Sequence, residues 1–165
     1  MLLNGKAAKF GDNVDTDVIL PGKYLILTDP IQLGEHAMEG LSHGLASKFA
    51  EGVIIVAGEN FGQGSSREHA PIALKASGVK CVVAQSFARI FYRNAISIGL
   101  PALECPGILG EVRGGDELSV DLERGEIRNV TTGATLCTQP IPDGLLQLLN
   151  AGGIIEYLKR KRTQQ

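Results

Sequence analysis

Gly52-Val53-Ile54-Ile55-Val56-Ala57-Gly58 sets five consecutive apolar residues, four of them β-branched, between two glycines. A short continuous run of this kind predicts a strand covered on both faces, as in a parallel sheet. The residues after it repeat a pattern. A glycine-rich polar loop runs from Gly58 to Ser66, a helix is expected over Ala70 to Ser77, and Gly78 stops it. Cys81-Val82-Val83-Ala84 reads as a second buried strand, Ala88 to Ile98 as a second helix stopped by Gly99, and Pro101-Ala102-Leu103 as a third strand. Strand, helix, strand, helix, strand within about fifty residues predicts parallel strands with crossover helices.

Upstream, Lys6 to Phe10 reads as a short strand ended by Gly11, and Asp12 to Asp17 as a polar, acidic turn. An apolar run follows and closes at Pro21-Gly22, and Thr28-Asp29-Pro30 supplies a capping residue and a first-turn proline for a helix over Ile31 to Met38. Downstream, Glu117 to Leu122 and Glu126 to Val130 alternate cleanly around Glu123-Arg124-Gly125, the pattern of a hairpin with one solvated face. Ala134 to Cys137 is a candidate third strand, and helices are expected near Gly144 to Asn150 and Ile154 to Arg160. Without an internal repeat or a boundary, residues 1–165 read as one α/β domain: a mainly parallel core plus a second, antiparallel sheet.

Composition removes several function classes. The 165 residues are 44% hydrophobic and 21% charged, ordinary for a globular domain. A net charge of −2 gives no field to recruit nucleic acid or an anionic membrane, and 5% aromatic content without tryptophan argues against base stacking. Lys159-Arg160-Lys161-Arg162 falls in the last turn of a helix, where cations complement the dipole. No apolar run approaches a membrane span and Met1 to Lys6 shows no signal-peptide pattern, so the cytoplasm is expected. Cys81, Cys105 and Cys137 stand 24 and 32 positions apart, neither a C-x-x-C pair nor a ferredoxin-like run. They read as reduced, small apolar residues. His36 and His43 read as surface residues rather than ligands.

The loop from Gly58 to Ala70 carries the chemistry. It connects a buried strand to a helix at the carboxyl edge of a parallel sheet, where ligands bind. Its glycines allow close backbone approach, and Ser65, Ser66 and Arg67 place two hydroxyls and a guanidinium side by side. A phosphate-binding P-loop would need lysine before its Ser or Thr, and a dinucleotide fingerprint would want a small residue at Arg67; neither fits. Ser65 with Glu68 could form a capping box. That choice would put Pro71 sixth in the helix, at a cost of roughly 3 kcal/mol, whereas a start near Glu68 leaves Ser65, Ser66 and Arg67 in the loop.

Gly64-Ser65-Ser66-Arg67-Glu68-His69-Ala70 resembles the G-S-S-R-E-H-A signature of the aconitase family's swivelling domain. Asp12 to Pro21 is similar to its D-x-x-x-T-D-x-I-x-P segment, and Gln85 to Asn94 to its S-F-A-x-I-x-x-x-N stretch. Three ordered motifs thus span about half the chain. The resemblance implies a three-layer β/β/α fold and, at this length, the separate small subunit of a split hydro-lyase. Its large subunit would hold a 4Fe–4S cluster and pair with this chain as a heterodimer or heterotetramer; no metal or cluster is expected on this chain itself. In the family, a serine alkoxide takes a proton from the carbon beside the hydroxyl that the iron holds. By motif position that base is Ser65, aided by Arg67, loop amides and the next helix's N-terminus. Ser66 and Arg67 would hold a substrate carboxylate. Asp17 matches an aspartate that pairs with a histidine across the family's cleft, while Asp12 and Asp15 suit turn chemistry, and Glu68 and His69 a structural role.

Tyr24-Leu25-Ile26-Leu27 stands where two-subunit members carry a specificity loop. Members acting on tricarboxylates resemble one another in presenting an arginine there, and this chain has none. Leu25, Ile26 and Leu27 would favour a branched alkyl substituent, since an unpaired carboxylate costs several kcal/mol in an apolar lining and each buried carbon gains about 0.8 kcal/mol. The expectation is interconversion of 2- and 3-isopropylmalate through isopropylmaleate, a step of leucine biosynthesis, with citramalate-like analogues as further substrates. A homoaconitase small subunit and a non-catalytic ligand-binding domain of the same fold are the alternatives.

Overall fold

The computed structural model describes residues 1–163. Four strands, β1 (Leu2–Lys9), β2 (Val53–Ala57), β3 (Val79–Ala84) and β4 (Ala102–Glu104), pair in parallel in the order β4-β3-β2-β1. Between β1 and β2 lie α1 (Thr16–Ile19), a 3₁₀ turn at Gly22–Tyr24, α2 (Pro30–Glu35) and a second 3₁₀ turn at Leu45–Phe49. The crossovers β2 to β3 and β3 to β4 are α3 (His69–Ser77) and α4 (Arg89–Ser97). All five residues of β2 are buried, as its unbroken apolar run requires of a central strand covered on both faces.

After α5 (Ile108–Glu111) the chain turns antiparallel through β5 (Glu117–Asp121), β6 (Glu126–Asn129) and β7 (Thr135–Cys137), then ends in α6 (Asp143–Ala151) and α7 (Ile154–Thr163). The α/β class and the expected hairpin are present. The antiparallel strands are not, however, a detached second sheet. They join the same ladder through β1, giving seven strands in the order β4-β3-β2-β1-β5-β6-β7. The joint lies within β1. Its first half, Leu2 to Lys6, pairs with β5, and its second half, Lys6 to Lys9, with β2, so the two registers share Lys6 alone. Both halves contribute to one hydrophobic core that runs from Ala7 and Ile54 to Ile127 and Leu149.

Local corrections follow from pairing and caps. β1 starts at Leu2, because pairing with β5 carries Asn4-Gly5 into a strand despite their poor propensity. Asp29 caps α2 by accepting from the Ile31 amide at 3.1 Å, but the helix stops at Glu35, short of Met38, whose φ of 61° is left-handed. Among the described residues, no helix is long and apolar enough to cross a membrane.

Candidate active site

Three neighbouring parallel strands deliver their following loops to one edge. β1 leads into residues 10–15, β2 into 58–68 and β3 into 85–88, so the three sequence motifs converge. The loops continue the ladder beyond the strands. The Asn13 amide donates to the Glu59 carbonyl at 2.8 Å, Gly62 to Val14 at 2.7 Å, Thr16 to Gln63 at 2.8 Å and Phe61 to Ser86 at 3.1 Å. Beneath them Phe61, fully buried, stacks edge-on with Phe87 and Phe91 at centroid distances of 6.0 and 5.2 Å. Gly62 has a φ of +81° and passes over Phe91 so closely that a Cβ would lie 2.1 Å from the ring's Cγ. Any side chain there would displace the loop.

α3 begins at His69 with Glu68 at its cap and no side-chain capping bond, so Ser65 is not a helix cap. Pro71 then occupies the third helical position, where its missing N–H costs nothing. Gly64, Ser65 and Ser66 are exposed, while Arg67 and His69 are half-buried. A tight turn, Arg67 amide to Ser65 carbonyl at 2.8 Å, keeps the backbone of Ser65, Ser66 and Arg67 on one short arc.

Arg67 Nη1 donates to Asp17 Oδ1 at 2.7 Å. Within this chain Asp17 thus meets an arginine. Of its neighbours, Asp15 takes the local role expected of it, its Oδ1 accepting from the Val18 amide as the N-cap of α1, whereas Asp12 Oδ1 reaches across to the Glu59 amide of the next loop, each at 2.8 Å. The guanidinium keeps further donors for an anion. Ser65, Ser66, half-buried Arg67 and Asp17 thus bring hydroxyl, cation and carboxylate to one edge.

The stretch leading into Tyr24-Leu25-Ile26-Leu27 lies beside it, since a Cβ on Gly22 would lie 3.5 Å from Arg67 Nη1. Leu25 and Leu27 are half-buried and pack on the core, whereas Ile26 is 86% exposed at the tip. Of the three, Ile26 alone is fully presented outward. The segment is pinned by a knot that sequence reasoning missed. Tyr24 stacks on His36 at 3.7 Å, and Glu39 bonds both His36 Nδ1, at 2.6 Å, and His43 Nδ1. Burial pushes the Glu39 carboxyl up, but hydrogen bonds from Tyr24, His43 and His36 outweigh it and hold its pKa down at about 2. His36 and His43 serve this carboxylate. Their i,i+3 and i,i+4 spacing about Glu39 was the available signal.

Thr16 was also missed. It is buried and its hydroxyl touches Ser65. The threonine of the T-D-x-I segment could have signalled it.

The cysteines do not suit a cluster. Cys81 is buried in β3 and burial pushes its thiol far up; Cys105 is buried after β4, and Cys137 is exposed on β7. Among the described residues no group of three His, Cys, Asp or Glu could hold a metal ion.

Residues 43–107 match the family model described as the aconitase C-terminal domain. The chain is 53% identical over 163 residues to the isopropylmalate/citramalate isomerase small subunit of Methanocaldococcus jannaschii, covering 99% of this chain and 97% of the relative. It is 55% identical over 161 residues to the 3-isopropylmalate dehydratase small subunit of Pyrobaculum calidifontis, covering 98% and 99%. A crystal structure of 3-isopropylmalate dehydratase from M. jannaschii superposes with a TM-score of 0.92 at 46% identity, over 100% of this chain and 98% of that one. With more than half its residues identical across nearly its whole length, the chain belongs to the family of 3-isopropylmalate dehydratase small subunits.

Proposed function

We propose that this chain is the small subunit of a hydro-lyase that interconverts 2- and 3-isopropylmalate in leucine biosynthesis. The observation that carries the mechanism is the arc Ser65-Ser66-Arg67, its two serines exposed and its guanidinium held at 2.7 Å by Asp17. Ser65 Oγ accepts the proton from the carbon beside the departing hydroxyl. An ordinary serine is far too weak an acid to supply an alkoxide at neutral pH, so cationic Arg67 and the loop's N–H groups stabilise it. Ser66 and the remaining donors of Arg67 take a substrate carboxylate, and Asp17 sets the guanidinium's orientation.

The 4Fe–4S cluster of this family serves as Lewis acid for the departing hydroxyl. The three cysteines here do not fit it, so we place it on the large subunit, which also closes the arc. Such a two-chain enzyme would work in the cytoplasm. Ile26, turned outward at the tip of the pinned segment, lies against the substrate's alkyl group and selects isopropyl over a third carboxylate.

The test is assembly. The isolated chain, after anaerobic treatment with iron and sulfide, should develop no cluster absorbance and no hydratase activity. Mixed with a cluster-loaded large subunit, it should produce the ultraviolet absorbance of isopropylmaleate from either isopropylmalate. Cluster assembly on this chain alone, or a stronger response to homocitrate than to isopropylmalate, would refute the assignment.

A further inference from the structure

We infer that Thr16 is a positioning residue for Ser65, holding the serine oxygen in place and donating a hydrogen bond to it. This rests on Ser65 being the proton acceptor. Thr16 sits at the first position of α1, 3% exposed, with its backbone amide tied to the Gln63 carbonyl at 2.8 Å and its carbonyl receiving the Leu20 amide at 2.9 Å. The side chain is thereby fixed beneath the loop. Its Oγ1 accepts from the Ser65 amide at 3.3 Å and lies 3.4 Å from Ser65 Oγ. A hydroxyl has one hydrogen to give and two lone pairs. The Ser65 amide occupies a lone pair, and among the described residues Ser65 Oγ is the other partner of Thr16 Oγ1. Either hydroxyl can donate while both are neutral, but once Ser65 has lost its proton its oxygen can only accept, and the threonine hydrogen then joins the pair.

Polarity decides what this contact does. A neutral hydroxyl donating to a neutral serine is a modest interaction; the same hydroxyl donating to an alkoxide is charge-assisted and shorter. The bond strengthens as Ser65 loses its proton, which favours the reactive form. Gly64 makes room for it: its φ is +108°, and a Cβ there would lie 2.9 Å from Thr16 Oγ1.

Thr16→Val keeps the shape and removes the hydroxyl, and Thr16→Ser keeps the hydroxyl. Both are assayed with the large subunit, in the parent and in the Ser65→Ala background. In the parent background, Thr16→Val should lower kcat about 10- to 100-fold, leave KM within about threefold and move the acid limb of the kcat profile to higher pH. Thr16→Ser should recover most of the loss. In the Ser65→Ala background, Thr16→Val should cost less than about twofold more. On the isolated chain, hydrogen exchange at the Ser65 amide should quicken in Thr16→Val and not in Thr16→Ser. Parent-like kcat in Thr16→Val, an equal loss in both backgrounds, or unchanged exchange would overturn the role of Thr16. Near-normal turnover by Ser65→Ala would instead overturn the base assignment, and the Thr16 role with it.

Discussion

The Arg67–Asp17 contact shows how a short ion pair can matter for geometry rather than for stability. Its side chains are 29% and 67% exposed, and pairs so open to water contribute at most about 1 kcal/mol. Asp17→Asn should therefore barely move the thermal midpoint, yet raise KM by releasing the guanidinium. Arg67→Lys should lower kcat/KM by about 10²-fold or more, because an ammonium cannot form the fork to a carboxylate and supports an alkoxide less well. Steady-state kinetics beside thermal melts separate the two effects, and a melt that falls while KM stays put would contradict them. Ser65, Ser66 and Arg67 stood out as candidates because consecutive polar residues in a glycine loop are unusual and their order resembles a family motif, and Asp17 because its segment resembles another. Thr16 did not. Its partner lies 49 positions away, and a threonine beside aspartates looks like turn chemistry until α1 is seen packed under the loop.

On the proposed function, substrate choice turns on Tyr24-Leu25-Ile26-Leu27. Ile26→Arg should shift kcat/KM toward tricarboxylates and away from isopropylmalate, measured as a ratio on both substrates; an unchanged ratio would remove Ile26 from the recognition surface. The anchoring of this segment depends on pH through Glu39. Its pKa falls from the usual 4.5 to about 2 on folding, so the stabilisation it brings is complete above pH 4.5 and disappears as pH drops toward 2. Glu39→Gln should flatten the fall in thermal midpoint across that window, in melts taken at successive pH values; parallel curves for the two proteins would show that the carboxylate is not the group responsible. Sequence pattern located this region's helix start, through Asp29 and Pro30, but not its early stop. Met38 takes a left-handed φ while its amide reaches the Ile19 carbonyl at 2.7 Å, a tertiary bond that local propensity does not encode. Pro71 was more informative: a single proline located the start of α3 and so freed Ser65 for the loop.

Across the whole molecule, the parallel half was plain in the unbroken apolar run of β2, and the antiparallel half in the alternation of β5 and β6. The single ladder that unites them was hidden, because β1 uses its first half for one partner and its second half for the other, and pairing of that kind leaves no periodic trace. This arrangement sends the loops after β1, β2 and β3 to one edge and leaves Ser65 exposed there. The proposed role of this chain as the source of the base is tested by assembling Ser65→Ala with the large subunit and following, by proton NMR in heavy water, exchange of the substrate hydrogen beside the departing hydroxyl. Exchange should slow by about 10²- to 10⁴-fold while isopropylmalate still binds. Exchange at the parent rate would mean that the proton goes elsewhere, and Ser65 would not be the base.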